Sequence, residues 1–319
     1  MRIGTLFSGI GAPEQGAKRV YDDLELVFAC EFDKFARQSF EANYDIKHDH
    51  FHVDVNDMDG KQYKDKVDII IGGSPCQDFS IAGLRAGIDG HRGQLIWQYY
   101  RIIMEAQPEI FIYENVKGMM SDKGGKTIKD FLQVFRESGY YCHHAVLNTK
   151  DYGVPQNRER VYIIGFKDHE LYHRFKFADK IKLEKRLKDV IEDKVDEKWF
   201  LSDKLTKYFS ETHKERFGST FGGRFEPKDG EGVANCLRKS GDTCPTDTYI
   251  IDSGRYRRPT SREKLNIQDF PKDFKIVVSD AQITMQTGNS MSVNILEMIF
   301  NQIEKAKQNE PTNTLMDFL

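Results

Sequence analysis

With 319 residues, 39% hydrophobic and 30% charged, and a formal net charge of -3, the chain has the makeup of a globular protein large enough for one big domain with an insertion, or for two domains. No apolar run is long enough to cross a bilayer, and Met1-Arg2-Ile3-Gly4 does not open a secretory signal, so no membrane partner is expected and the expected location is cytoplasmic. The charge balance excludes a generally basic surface and leaves local patches as the only basis for binding nucleic acid.

In chain order, Ile3 to Phe7 reads as a strand and Glu14 to Val20 as a helix, followed by strand Leu26 to Cys30, helix Lys34 to Asn43 and strand Val67 to Ile71. Helix Gln94 to Ala106, strand Ile110 to Tyr113, helix Thr127 to Ser138 and strands Tyr141 to Leu147 and Val161 to Phe166 continue the rhythm. This alternation predicts an α/β fold with a doubly wound, mostly parallel sheet and ligands at the carboxyl ends of its strands. Lys180 to Val195 carries Ile181, Leu187, Val190 and Ile191 at helical spacing and reads as a solvated connecting helix. Ser219 to Arg258 reads as a small loop-rich or β domain, Val293 to Ile303 as a helix packing back on the first domain, and Pro311 to Leu319 as a tail.

Five cysteines at 30, 76, 142, 236 and 244 form an odd set without a C-x-x-C pair, which argues against a disulfide framework and a zinc site. The run His48-Asp49-His50-Phe51-His52 lacks the partners to complete a site, and no metal is expected. Phe7-Ser8-Gly9-Ile10-Gly11-Ala12 follows the first strand, but Glu14 occupies the third position of a G-x-G-x-x-G pattern, leaving a structural turn and a cofactor loop both open. Glu31, ending the second strand, is placed to accept hydrogen bonds from a ribose, and Asp54 to take an adenine amino group. Nothing speaks for a pyrophosphate contact, so S-adenosylmethionine fits better than a dinucleotide. Cys76 follows the strand Val67 to Ile71, and Glu114 follows the next. Singly these are more often a packed thiol and a capping or surface acid; as a pair at one sheet edge they suit a nucleophile and a proton donor acting on one heterocycle.

Gly73-Ser74-Pro75-Cys76-Gln77, Glu114-Asn115-Val116 and Gln156-Asn157-Arg158-Glu159-Arg160, in that order, resemble the motifs of the C5-cytosine DNA methyltransferase family. Phe7 to Gly11 resembles its cofactor loop, Asp151-Tyr152-Gly153-Val154-Pro155 its approach to the arginine motif, and Gly288-Asn289-Ser290 its last motif. The resemblance implies a Rossmann-like catalytic and cofactor-binding domain at 1–167 and 256–319, with a connecting helix and DNA target-recognition domain at 168–255. It implies that Cys76 adds to C6 of a flipped cytosine, that Glu114 holds the N3 and N4 edge and that Arg160 binds O2, with Arg158 and Arg160 favouring the thiolate. S-adenosylmethionine would meet Phe7, Gly9, Gly11, Glu31, Phe32, Asp54, Val55, Pro75 and Asn289. A loop from Ile81 through Arg85 would close over the base, Arg85 meeting DNA, and Arg224, Arg238, Lys239, Arg255, Arg257 and Arg258 would meet phosphates or guanine edges.

Two departures stand out: Thr5, where the family often has an acid, and Cys236-Leu237, where it often has Thr and an apolar residue. The implied partner is double-stranded DNA, with a cognate restriction endonuclease acting separately and a monomeric enzyme of bacterial or phage type. A tRNA cytosine methyltransferase of the same fold and an inactive nucleic-acid binder are the rivals. Retention of Cys76, Glu114 and Arg160 argues against the second.

Overall fold

A computed structural model describes residues 1–75, 95–209, 225–241 and 243–308. Cys76, Arg85, Arg224, the expected closing loop from Ile81 and the tail from Pro311 lie outside the described residues. Contacts divide the chain into two units: residues 1–147, 159–179 and 295–319 form one, and 148–158 and 180–294 the other. This differs from the boundaries read from the sequence, because 256–294 and the short segment 148–158 group with the second unit and 168–179 with the first.

In the first unit β1 (Arg2–Leu6), α1 (Ala12–Lys18), β2 (Glu25–Cys30), α2 (Lys34–Asn43), β3 (Phe51–His52), β4 (Ile69–Gly72), α3 (Leu95–Ala106), β5 (Ile110–Val116) and α4 (Lys126–Glu137) alternate, and β6 (Tyr141–Asn148) follows. After β7 (Gln156–Asn157) of the second unit, β8 (Glu159–Phe166) and α5 (His169–Arg174) return to the first. The seven-stranded sheet has the order β3-β2-β1-β4-β5-β8-β6. β1 to β5 pair in parallel, and β8 runs antiparallel to β5. Consecutive Ile69, Ile70 and Ile71 are all 0% exposed, as expected where both faces of a parallel sheet are covered. On one face Tyr99, Ile102 and Ile103 of α3 and Ile128, Phe131 and Phe135 of α4 pack against Phe28, Ile70 and Phe111. Asp33 starts α2 by accepting from the Phe35 and Ala36 N–H groups, the usual solution for unpaired donors at a helix start. Strand order reverses between β1 and β4, the switch point where such sheets bind ligands beyond their carboxyl ends.

In the second unit the expected helix over Lys180 to Val195 does not form. The segment is irregular apart from one turn at Leu187–Asp189. Leu187 and Lys188 donate their N–H groups to the Gly232 and Gly230 carbonyls, while Leu187 and Val190 pack with Ala234, Leu237, Ile250 and Ile267. The spacing therefore serves a small core, and the backbone is satisfied by another segment. Around it lie α6 (Asp203–Lys207), β9 (Ala234–Asn235) paired with β7, the hairpin β10 (Ile250–Asp252) and β11 (Arg255–Arg257), α7 (Ser261–Ile267) and α8 (Asp280–Asn289). The last helix, α9 (Val293–Lys307), brings Leu296 into the first unit against Gly16.

Arg257, read above as a phosphate or guanine contact, is instead 0% exposed. Its guanidinium donates to Glu263 at 2.8 and 2.9 Å and to Asp252 at 2.7 Å, so it is an internal brace of the second unit. Arg257→Leu leaves the buried Glu263 carboxylate without its counter-charge and is expected to cost about 3–5 kcal/mol. Urea unfolding of the variant beside the parent protein measures it.

Candidate active site

The loop after β1 and the segment after β4 leave the sheet at the switch point. Phe7, Gly9 and Gly11 all have positive φ, at 55, 58 and 88°. A Cβ on Gly11 would lie 2.1 Å from the Tyr44 ring, whose hydroxyl donates to the Gly11 carbonyl, so glycine is required there twice over. Glu31, just beyond β2, accepts from the Gly9 N–H and the Asp33 N–H, both at 2.8 Å. Burial pushes its carboxyl above the usual range, against those two hydrogen bonds. Next to it Phe32 is 74% exposed, and Asp54 is occupied in capping the turn at Val55–Asp57 by accepting from the Asn56 N–H. Val55 is buried.

Beneath the loop, Glu14 is 1% exposed. Thr5 Oγ1 donates to Glu14 Oε1 at 2.5 Å and lies 2.7 Å from Ser8 Oγ. Glu14 Oε2 has no hydrogen-bond partner among the described residues. Desolvation raises the Glu14 carboxyl to about 7, the Thr5 hydrogen bond and Lys18 acting the other way.

At β4, pairing in register Gly72↔Tyr113 sets Ser74 and Pro75 beside the end of β5. Ser74 Oγ lies 2.7 Å from the Tyr113 hydroxyl, and Asn115 Nδ2 donates to the Ser74 carbonyl at 3.1 Å and to the Tyr113 hydroxyl at 2.9 Å. Ser74, two residues before Cys76, is thus fixed by β5, although Cys76 itself is not among the described residues. Glu114 was read as lying beyond its strand, but β5 runs on to Val116 because β8 pairs with it that far. Glu114 faces Tyr162 and Val116 faces Arg160, so Glu114 and Arg160 are diagonal neighbours on one face. Arg160 Nε sits 3.2 Å from Glu114 Oε1, with side chains only 16% and 12% exposed.

Arg158 is two residues away but differently employed. It is 2% exposed in the second unit and donates to the carbonyls of Leu237 at 3.0 Å, Ser290 at 2.6 Å and Gly288 at 3.3 Å, with Cys236 Sγ at 3.3 Å. Gln156, 0% exposed, donates to the Ile267 carbonyl and accepts from the Leu237 N–H. These contacts make Arg158 a fastener of the Cys236-Leu237 and Gly288-Asn289-Ser290 segments. A Cβ on Gly288 would fall 2.2 Å from the Arg238 and Lys239 backbone, so only glycine permits that approach. Asn289 and Lys239 are exposed. Arg238 is paired with Asp247 at 2.6 Å, and Arg255 with Glu197.

The buried roles of Glu14, Tyr113, Ser74 and Gln156 were not anticipated. One signal existed: Thr5 and Glu14 both depart from expected patterns, and they touch. Of the cysteines, Cys30 and Cys142 are buried, their thiols pushed up to about 12 mainly by burial, which leaves them inert near neutral pH.

Residues 1–305 match the family of C-5 cytosine-specific DNA methylases, and the chain belongs to that family. The Type II methyltransferase M1.ScrFI of Lactococcus lactis subsp. cremoris is 35% identical over 312 residues, covering 95% of this chain and 79% of that protein. The Type II methyltransferase M.NlaX of Neisseria lactamica is 34% identical over 312 residues, covering 96% of each. Among solved structures, the Entamoeba histolytica methyltransferase EhMeth matches with a TM-score of 0.74 at 16% identity, over 97% of this chain and 99% of that one, a likeness of fold. The protein is accordingly a DNA cytosine-5 methyltransferase. Among the described residues no helix is long and apolar enough to cross a membrane.

The buried Glu14 acid makes a pH prediction. Its value is raised in the folded state, to about 7 from 4.5, so folding holds a proton that the unfolded chain releases. The stability it contributes is full below about 4.5 and is lost as pH rises through about 7. Urea unfolding from pH 4.5 to 8 should find the parent protein losing stability relative to Glu14→Gln up to about pH 7, with no further divergence above it.

Proposed function

We propose that this enzyme binds a specific site in double-stranded DNA, flips out one cytosine and methylates it at C5 using S-adenosylmethionine. The observation that carries the reading is the half-sequestered Glu114–Arg160 pair on β5 and β8, next to the strand that leads through Ser74 and Pro75 to Cys76.

The residues around the switch point fit the methyl donor. Glu31 and Asp54 offer acceptors to ribose hydroxyls and an adenine amino group, the bare Phe32 ring offers a stacking face, and the backbone of Phe7, Gly9 and Gly11 allows close approach; Pro75 and Asn289 are proposed as donor contacts on the resemblance alone. S-adenosylmethionine supplies, when bound, an electrophilic methyl group on a sulfonium. The rest is the work of the chain. Cytosine C5 is a poor nucleophile, so the Cys76 thiolate adds to C6, and the electron pair moved onto the ring is balanced by a proton that Glu114 delivers to N3 while Arg160 donates to O2. C5 would then take the methyl group, the donor's sulfur keeping the electron pair of the broken S–C bond; a base removes the C5 proton, the returning electron pair expels the Cys76 thiolate, and N3 gives its proton back to Glu114, restoring the neutral aromatic ring.

Arg85, Arg224, Arg238, Lys239 and Arg255 are proposed to meet the duplex. Of those described, Lys239 is exposed, whereas Arg238 and Arg255 must exchange acidic partners for phosphates. The enzyme would act as a monomer in the cytoplasm of a bacterial or phage-infected cell, beside a separate restriction endonuclease of the same specificity.

Methyl transfer measured on duplex DNA and on tRNA tests this. Duplex is expected to be the substrate, Cys76→Ala to abolish turnover, and Glu114→Gln to lower kcat by about 100-fold or more. Turnover by Cys76→Ala, or faster transfer to tRNA, would overturn it.

A further inference from the structure

The loop Phe7 to Gly11 contains a non-glycine residue in the left-handed region, Phe7. Such a conformation persists only where its surroundings over-determine it. From the side of β2, Glu31 holds the Gly9 N–H. From beneath, a chain of short hydrogen bonds runs through the interior. The Glu14 carboxyl meets Thr5 Oγ1 at 2.5 Å, Thr5 Oγ1 meets Ser8 Oγ at 2.7 Å, and Ser8 Oγ accepts from the Cys30 N–H at 3.1 Å and reaches the Cys30 carbonyl at 3.2 Å.

Each hydroxyl has one proton to give, so these bonds are linked. With a proton on Glu14, the carboxyl donates to Thr5, Thr5 to Ser8 and Ser8 to the Cys30 carbonyl, with the Thr5 carbonyl a second acceptor for the Ser8 hydroxyl at the same 3.2 Å. With Glu14 ionised, Thr5 must turn to it, Ser8 must turn to Thr5, and the Cys30 carbonyl loses its hydroxyl partner. The loop is thereby tied to β2 through an acid on α1. The acid absent at position 5 is regained from Glu14, whose carboxyl approaches through the Thr5 hydroxyl.

We infer that Thr5 and Glu14 form a positioning pair for the loop that receives the methyl donor, setting donor affinity through Ser8 without touching the reacting atoms. This rests on the cofactor reading above. A neutral side chain with one donor and one acceptor at position 14 should serve as well as the acid, and a hydroxyl at position 5 is indispensable whatever its methyl group does.

The test is a mutant cycle on the full chain, with the dissociation constant of S-adenosylhomocysteine measured calorimetrically and donor KM and kcat measured on duplex DNA. Thr5→Val and Glu14→Ala should each weaken binding by about tenfold. Because they break the same link, the double variant should also lose about tenfold and not the hundredfold that independent sites would give. Thr5→Ser and Glu14→Gln should stay within about threefold of the parent. Donor KM should rise in the weakened variants while kcat at saturating donor stays within about twofold, a split that general loosening of the fold would not produce. Parent-like binding by Thr5→Val, or multiplied losses in the double variant, would overturn the inference. If Glu14→Ala does not fold, the contrast between Thr5→Val and Thr5→Ser decides it alone. Failure of the parent protein to bind the probe would instead overturn the cofactor reading and this inference with it.

Discussion

The parallel pairing of β4 with β5, in register Gly72↔Tyr113, is the constraint on which the site depends. It brings Ser74 within reach of Tyr113 and Asn115, so the backbone entering Cys76 is fastened by groups that are themselves buried. Side chains alternate along a strand, so Tyr113 and Asn115 take one face for this task and leave Glu114 on the other. There the antiparallel return of β8 supplies Arg160 as its diagonal neighbour. One strand thus serves two needs through its pleat: alternate residues fasten Ser74 and present Glu114 to Arg160.

The second unit follows a different economy. Its apolar core is small, and its interior is filled with polar groups that answer one another. Arg257 meets Glu263 and Asp252, Gln156 meets Ile267 and Leu237, and Arg158 gathers three carbonyls. Such a network is costly when one member is lost and strongly orienting when all are present.

Much of the first unit was legible because its elements are buried on both sides: runs such as Ile69-Ile70-Ile71 and the amphipathic α2 and α4 declare themselves by period. Glu114 and Arg160, singled out from separate motifs, do meet across β5 and β8. What the sequence hid were the partners of polar residues. Arg158 and Arg160 look equivalent in an R-x-R pair, yet one donates to backbone carbonyls and the other faces Glu114. Likewise Leu187 and Val190 keep helical spacing in a segment whose backbone bonds to Gly230 and Gly232. Long-range pairing of this kind leaves no local trace. Glu14, out of place in a glycine pattern, gave a trace that only the contact with Thr5 explains.

The central claim is that Cys76 forms a covalent bond to the ring that Glu114 and Arg160 hold. Intact-mass and peptide-mapping measurement of the protein incubated with S-adenosylmethionine and a cognate duplex carrying 5-fluorocytosine at the target tests it most directly, because fluorine cannot leave as the C5 proton does. The account predicts a stable adduct, with the methylated fluorocytosine mapped to Cys76. Methylated duplex with no adduct, or an adduct mapped to another residue, would contradict it.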